Sequence, residues 1–177
     1  VKCQLDVLGK CITARDVRKS LNKLPSTLDE TYERILLGID TQERDKAYAA
    51  LQWLIFSARP LRLEELAEAV VIEPGASSFS TEDRMFDPHD IATICRSLVS
   101  LSDDTSEIRL AHYSVQEYLL SDRIGHGPSA FFSILRPSAA VLIAEVCLTY
   151  LLQFDKPHSL SDHALSEWPF LDYACRY

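Results

Sequence analysis

The chain has 177 residues, of which 47% are hydrophobic and 25% charged, and its net charge is -8. That length and balance describe one or two globular domains with a buried core. The acidic excess excludes nonspecific binding to nucleic acid or to an anionic membrane, because both polyanions repel it. The charge is uneven: residues 1–24 carry six Lys/Arg against two Asp/Glu, and residues 80–107 carry seven Asp/Glu against two Lys/Arg. The five cysteines, Cys3, Cys11, Cys95, Cys147 and Cys175, are odd in number and contain no C-x-x-C pair. Reduced, buried thiols in a cytoplasmic protein are expected, rather than a disulfide framework or a zinc site. No signal peptide opens the chain, and the most apolar run, 139–152, holds Glu145 and is too short to span a bilayer. Val1 is not an initiator Met and the last helical pattern stops at Tyr177, as expected of a piece of a larger protein.

Thr13 with Asp16 predicts a first helix start, with Val17, Leu21 and Leu24 on one face, after the tail of an earlier helix at 3–8. Thr27 with Glu30 is a capping box, and Tyr32, Ile35, Leu36 and Ile39 give a helical stripe. Thr41 is expected to cap a third helix whose stripe is Ala47, Leu51, Leu54, Ile55 and Ala58, widened by Trp53 and Phe56. Arg59-Pro60 breaks it. Leu63, Leu66, Ala67 and Val70 predict a short helix, with Glu64 and Glu65 in its first turn to suit the dipole; residues 70–72 read alternatively as a short strand. Residues 74–79 are a small-residue loop. Asp87-Pro88 starts another helix, with Ile91, Ile94, Cys95 and Leu98 inward.

Residues 98–120 read as strand, polar turn, strand, helix. Val99 and Leu101 alternate with polar residues, and Ile108, Leu110 and His112 share one face of the second strand. Ser114 to Glu117 is a capping box that opens a helix at once. Short helices followed by a β-hairpin are the winged-helix arrangement. The fold expected is therefore mainly α with a small β-hairpin: a helical segment over 1–40, a winged helix over 41–124 and a helical linker over 125–177. In that linker 125–129 is a spacer and 130–135 a helical turn. Ser138 opens a long helix with Ala140, Ala144, Cys147, Leu148 and Leu151 on one face, apolar nearly all round and so expected to be buried on several sides. After a loop at 155–162, Trp168-Pro169-Phe170 begins a last helix with Leu171 and Ala174 inward.

Four phrases then carry a resemblance that spans nearly the whole chain: LPSTLDETYERIL at 24–36, RPL with LEEL at 59–66, HYSVQEYL at 112–119 and WPFLDYA at 168–174. In order and wording the chain resembles the region after the nucleotide-binding core of fungal NACHT proteins, the STAND-type relatives of innate-immune receptors. One departure is Arg62, where a Ser or Thr cap is expected. The resemblance implies a non-enzymatic regulatory winged helix of a signalling NTPase. It lies between the NACHT module, to which 1–40 belongs, and a repeat array, often ankyrin. It implies contacts to the nucleotide domain and to the repeats, oligomerisation on activation, and no nucleic-acid or membrane partner. ATP or ADP belongs to the parent protein, since no phosphate loop occurs in these residues. The same profile is also labelled after a GPI inositol-deacylase, but without a G-x-S-x-G elbow the usual serine nucleophile has no seat.

His112 is the candidate site residue, and no catalytic or metal-ligating residue is assigned. Two readings stay open for it: a core histidine behind Ile108 and Leu110, or, as the resemblance implies, a sensor of the ADP diphosphate, whose ring N–H and following helix N-terminus suit an anion. The alternative of a DNA-reading segment at 87–101 has only Arg96 against Asp87 and Asp90, and a wing with Asp103-Asp104. His89 would not reverse that balance. An accessory domain of a hydrolase is the third reading. Arg15, Arg18, Lys19 and Lys23 form a basic face, either solvated or set against an acidic neighbour. Asp29, Glu30 and Glu117 are expected to be cap and first-turn residues, and Trp168 and Phe170 packing between the last two helices.

Overall fold

A computed structural model describes Thr13 and residues 27–76, 79–155 and 167–177. The expected helix after Thr13 with its basic face, Cys3, Cys11, the middle of the 74–79 loop and most of the 155–162 loop lie outside the described residues.

Thr27 caps α1 (Leu28–Leu37) by accepting the Glu30 N–H, and Tyr32, Leu36 and Ile39 are buried along its predicted stripe. The next helix does not start at Thr41. Asp40 caps a 3₁₀ turn there through Gln42 N–H, and α2 runs Arg44–Phe56. Ala47, Ala50, Leu51 and Trp53 are its buried side, while Ala58 lies beyond its end and is exposed. Asp87 Oδ1 accepts the His89 N–H ahead of α4 (His89–Cys95), which buries Ile91, Ile94 and Cys95 as expected.

Between α2 and α4 come β1 (Leu61–Arg62) and α3 (Leu63–Ala69). The expected hairpin is present as β2 (Val99–Leu101) and β3 (Glu107–Leu110), but β1 adds a third strand, in the order β1-β3-β2, all antiparallel. Leu61 and Leu101 both pair with Ile108, so three apolar side chains meet on the face turned to the helices. A two-residue strand shows no alternation in sequence, which is why the hairpin alone was legible there. Residues 70–72 form a turn rather than a strand.

After β3 come α5 (Tyr113–Leu119), α6 (Asp122–Gly125), a 3₁₀ turn at Ala130–Phe132, α7 (Arg136–Leu152) and α8 (Leu171–Arg176). The expected spacer at 125–129 is packed: Ser129 is buried and hydrogen-bonds Tyr118 at 3.0 Å. The inward face of α7 differs from expectation. Ala139, Val146, Cys147, Thr149 and Tyr150 are buried, whereas Val141, Leu148 and Leu152 are 56%, 62% and 61% exposed. A helix apolar all round carries no moment to orient it, so its polar contacts decide. Thr149 accepts the N–H of Gly75, a left-handed turn residue at φ 75, and Tyr150 reaches into the core.

There Tyr150 meets Glu68, a buried carboxylate on α3. Glu68 accepts the Tyr150 O–H at 2.6 Å, the Phe170 N–H at 3.0 Å and the Arg84 Nε–H at 2.6 Å. The Arg84 guanidinium also lies over the Trp168 ring, 4.6 Å from its centroid, and Phe79, Tyr150, Phe154, Trp168 and Phe170 close the cluster. Trp168 and Phe170 are thus packing residues, as expected. Beside the carboxylate, burial and the bond to Glu68 push the Tyr150 hydroxyl far above its ordinary range.

Glu65 lies in the first turn of α3, as expected, and is fully buried there. It accepts the backbone N–H of Arg62, the reciprocal half of a capping box, and it receives a two-pronged bond from Arg59 at 2.7 and 2.8 Å. Burial alone would raise its pKa, but the hydrogen bonds from Arg59 and Arg62 and their charges outweigh it, and the group sits below the usual carboxylate range.

Replacing Glu68 with Ala leaves the Tyr150, Phe170 and Arg84 donors unmatched, and a loss of about 3–5 kcal/mol is expected in urea unfolding, against about 1 for Tyr150→Phe. Glu65 yields its proton more readily folded than unfolded. Its stabilisation is therefore full above the ordinary value of 4.5 and is lost as pH falls from there through the lowered folded value. Unfolding midpoints measured between pH 6 and pH 3 should fall in that window, and Glu65→Gln should flatten the dependence.

Candidate functional site: the His112 cleft

The ladder closes where Ala111 N–H donates to Leu98 O at 2.8 Å. His112 follows with extended backbone (φ -158, ψ 148) and is itself the cap of α5: its Nδ1 accepts the Ser114 N–H at 3.1 Å. It is exposed, so the core-histidine reading is overturned. The strand ends at Leu110, and once the ladder stops nothing holds the alternation that would have turned His112 inward. The expected Ser114–Glu117 capping box is overturned too, and the exposed Glu117 completes no cap. Ser114 Oγ instead lies 2.6 Å from both His112 Nδ1 and the Tyr32 hydroxyl, linking α1 to the cap.

With Nδ1 accepting the Ser114 N–H, the neutral ring carries its hydrogen on Nε2, where it is available as a donor. The helix N-terminus is not available in the same way. α5 has seven residues, and its Ser114 N–H is taken by the His112 ring.

His112 stands in a cleft of about 390 Å³ with Ser57, Arg59, Arg109, Tyr113 and Gln116. Arg59, Arg109 and His112 are thus among its lining residues, and no acidic residue is among the described residues that line it. Arg59 is held by Glu65, and Arg109 pairs with Glu107 along the same strand. The walls are Leu54, Leu61, Ile108 and Leu110. N–H donors over an apolar wall, in an otherwise acidic protein, suit a compact anion. Sequence reasoning missed both arginines. Arg59 read only as a helix break, although Arg109 could have been found as the outward residue between Ile108 and Leu110.

A larger cleft of about 750 Å³ lies between α2 and α4, rimmed by Glu43, Asp45, Asp83 and Asp90 and floored by Val70, Ile94 and Val146. Glu73, Lys46 and Arg84 line it as well, so carboxylates outnumber cations five to two and size alone does not make it a phosphate site. The segment at 87–101, weighed as a DNA reader and disfavoured by its charge, is equally unsuited. Arg96 bonds the Gly38 carbonyl from a left-handed backbone position (φ 54), His89 bonds Asp87, and Asp103 and Asp104 are exposed in the wing turn. Asp29 pairs with Arg123 at 3.0 Å, a structural role as expected. Burial pushes the Cys95 thiol up to about 12 and Cys147 up to about 11, which makes both unreactive, while Cys175 is exposed. Among the described residues no group of His, Cys, Asp and Glu is placed to hold a metal, and no helix is long and apolar enough to cross a membrane.

The chain is 38% identical over 165 residues to the azaphilone pigments biosynthesis cluster protein L of Monascus ruber. The match covers 89% of this chain but 35% of that protein, so the chain spans about a third of the relative's length. No solved structure matches. A family model described as the GPI inositol-deacylase winged helix domain matches residues 32–134, from α1 through the 3₁₀ turn after α6. With short helices followed by a small antiparallel sheet as that description requires, this chain belongs to the family of the GPI inositol-deacylase winged helix domain.

Proposed function

We propose that the chain is a non-enzymatic regulatory module of a NACHT-type signalling NTPase, coupling the nucleotide state of a neighbouring domain to a downstream repeat array. In this reading His112 senses the diphosphate of ADP held by that domain. One observation carries it: a histidine whose Nε2–H is made a donor by the Ser114 cap stands in a cleft with two arginines and no lining carboxylate. Phosphate oxygens take such donors, and guanidinium groups above all. A regulator of this kind is compatible with the pigment-cluster setting of the relative, most of whose length lies outside the match. A hydrolase-accessory role has no comparable support, because Ser114 is tied to Tyr32 and His112 and no nucleophile elbow occurs in the sequence. A nucleic-acid role is opposed by the exposed Asp87 and Asp90 around the start of α4 and by the exposed Asp103 and Asp104 of the wing turn.

Two variants separate sensing from capping. In the full-length protein His112→Ala should lower ADP retention, raise basal activity and cost about 0.5–2 kcal/mol of stability through the lost cap. His112→Asp replaces the ring-nitrogen cap with a carboxylate-oxygen cap, so stability should change by less than about 0.5 kcal/mol. Its charge repels phosphate, so ADP retention should still fall. Nucleotide content of the purified protein and thermal unfolding check both, and unchanged ADP in the two variants would refute the sensor. Duplex DNA titrated at physiological salt should show no binding at micromolar protein.

A further inference from the structure

Arg59 faces two ways. It lines the His112 cleft, and it also meets the C-terminal helix α8. We propose that anion binding in the cleft and seating of α8 compete for Arg59, so that filling the cleft loosens the helix and seating the helix weakens the anion. The proposal rests on the anion-sensing reading of His112 and adds the route by which that signal would leave the cleft.

The donors of Arg59 can be counted. A guanidinium has five N–H groups. Nη1 donates to Glu65 Oε2 at 2.7 Å and to Pro60 O at 3.0 Å, and Nη2 donates to Glu65 Oε1 at 2.8 Å. The other hydrogen of Nη2 has Asp172 Oδ2 at 3.7 Å, beyond hydrogen-bond length, and Nε–H meets no acceptor among the described residues. Glu65 therefore anchors the group, while its remaining donors are only loosely engaged by α8. An anion entering the cleft satisfies those donors and draws the guanidinium charge away from Asp172. Asp172 has a second partner to fall back on, Arg176 at 2.7 Å.

α8 grips the same segment at two more points. Tyr173 Oη accepts the Ala58 N–H at 2.9 Å, and the Arg59 guanidinium lies 5.1 Å from the centroid of the Tyr173 ring. Ser57, Ala58, Arg59, Pro60 and Leu61 all line the cleft, so one stretch of backbone is wall to one site and seat to the other. A ligand shifts such an equilibrium only through different affinity for the two states, and the shift is reciprocal. The contested charge of Arg59 supplies that difference.

The test uses the whole chain with inorganic pyrophosphate as probe. Binding is followed by the His112 ring and Arg59 Nε resonances, and loosening of α8 by amide hydrogen exchange of residues 171–176. Pyrophosphate should shift both resonances and speed exchange in α8. Asp172 is half-exposed, so Asp172→Asn leaves the core intact. It should tighten pyrophosphate roughly fivefold, at the low end of coupling free energies because the pair is partly solvated. Asp172→Ser should act in the same direction, which separates charge from amide chemistry. If His112 shifts while exchange in α8 and the affinities of both variants stay unchanged, the competition is overturned and the sensor reading stands. If millimolar pyrophosphate moves neither resonance, anion binding is overturned and the competition falls with it.

Discussion

The carboxylate of Glu68 is the constraint on which the rest of the fold depends. A charge removed from water is tolerated only when several donors surround it. Here the donors come from far apart in the chain: Arg84 from the loop before α4, Tyr150 from α7 and the Phe170 amide from the turn before α8. Each of those segments must be in place for the group to be satisfied. The winged helix and the helices after it are therefore joined by one polar knot inside an aromatic cluster, and Arg59 with Glu65 repeats the device one helical turn earlier.

This knot explains what the sequence could and could not reveal. The elements with a local cause were legible: Thr27 as a cap, the α1 and α4 stripes, the polar turn between β2 and β3, and the inward Leu171 and Ala174. The features with a distant cause were not. Glu65 and Glu68 sit on a helix whose acidic residues look like ordinary solvent-facing ones, and only partners 6, 16, 82 and 102 residues away make them buried. The same holds for α7, where the side turned inward follows Thr149 and Tyr150 rather than any moment of its own. β1 escaped notice because two residues carry no period.

At the candidate site the division is similar. His112 was legible as a residue at the junction of strand and helix, because Ile108 and Leu110 mark the strand and the helical stripe follows at once. Its direction was not, since that depends on where the ladder ends. The cleft could not be read either: Arg59 and Arg109 are 50 residues apart and line one cleft because β1 lies beside β3. A strand too short to see in the sequence thus brings the two residues to one cleft. Tyr32 and Ser114 add a second such link, from α1 to the ring that caps α5.

The same small sheet has a consequence for how this domain is recognised. Its outer strands are two and three residues long, so the unpaired backbone groups along each margin are too few to template an incoming strand. Recruitment by β-augmentation, which many signalling modules use, is closed to it. Whatever binds here must be chosen by side chains and helical surfaces, which makes selectivity a matter of charge and shape rather than of main-chain complementarity.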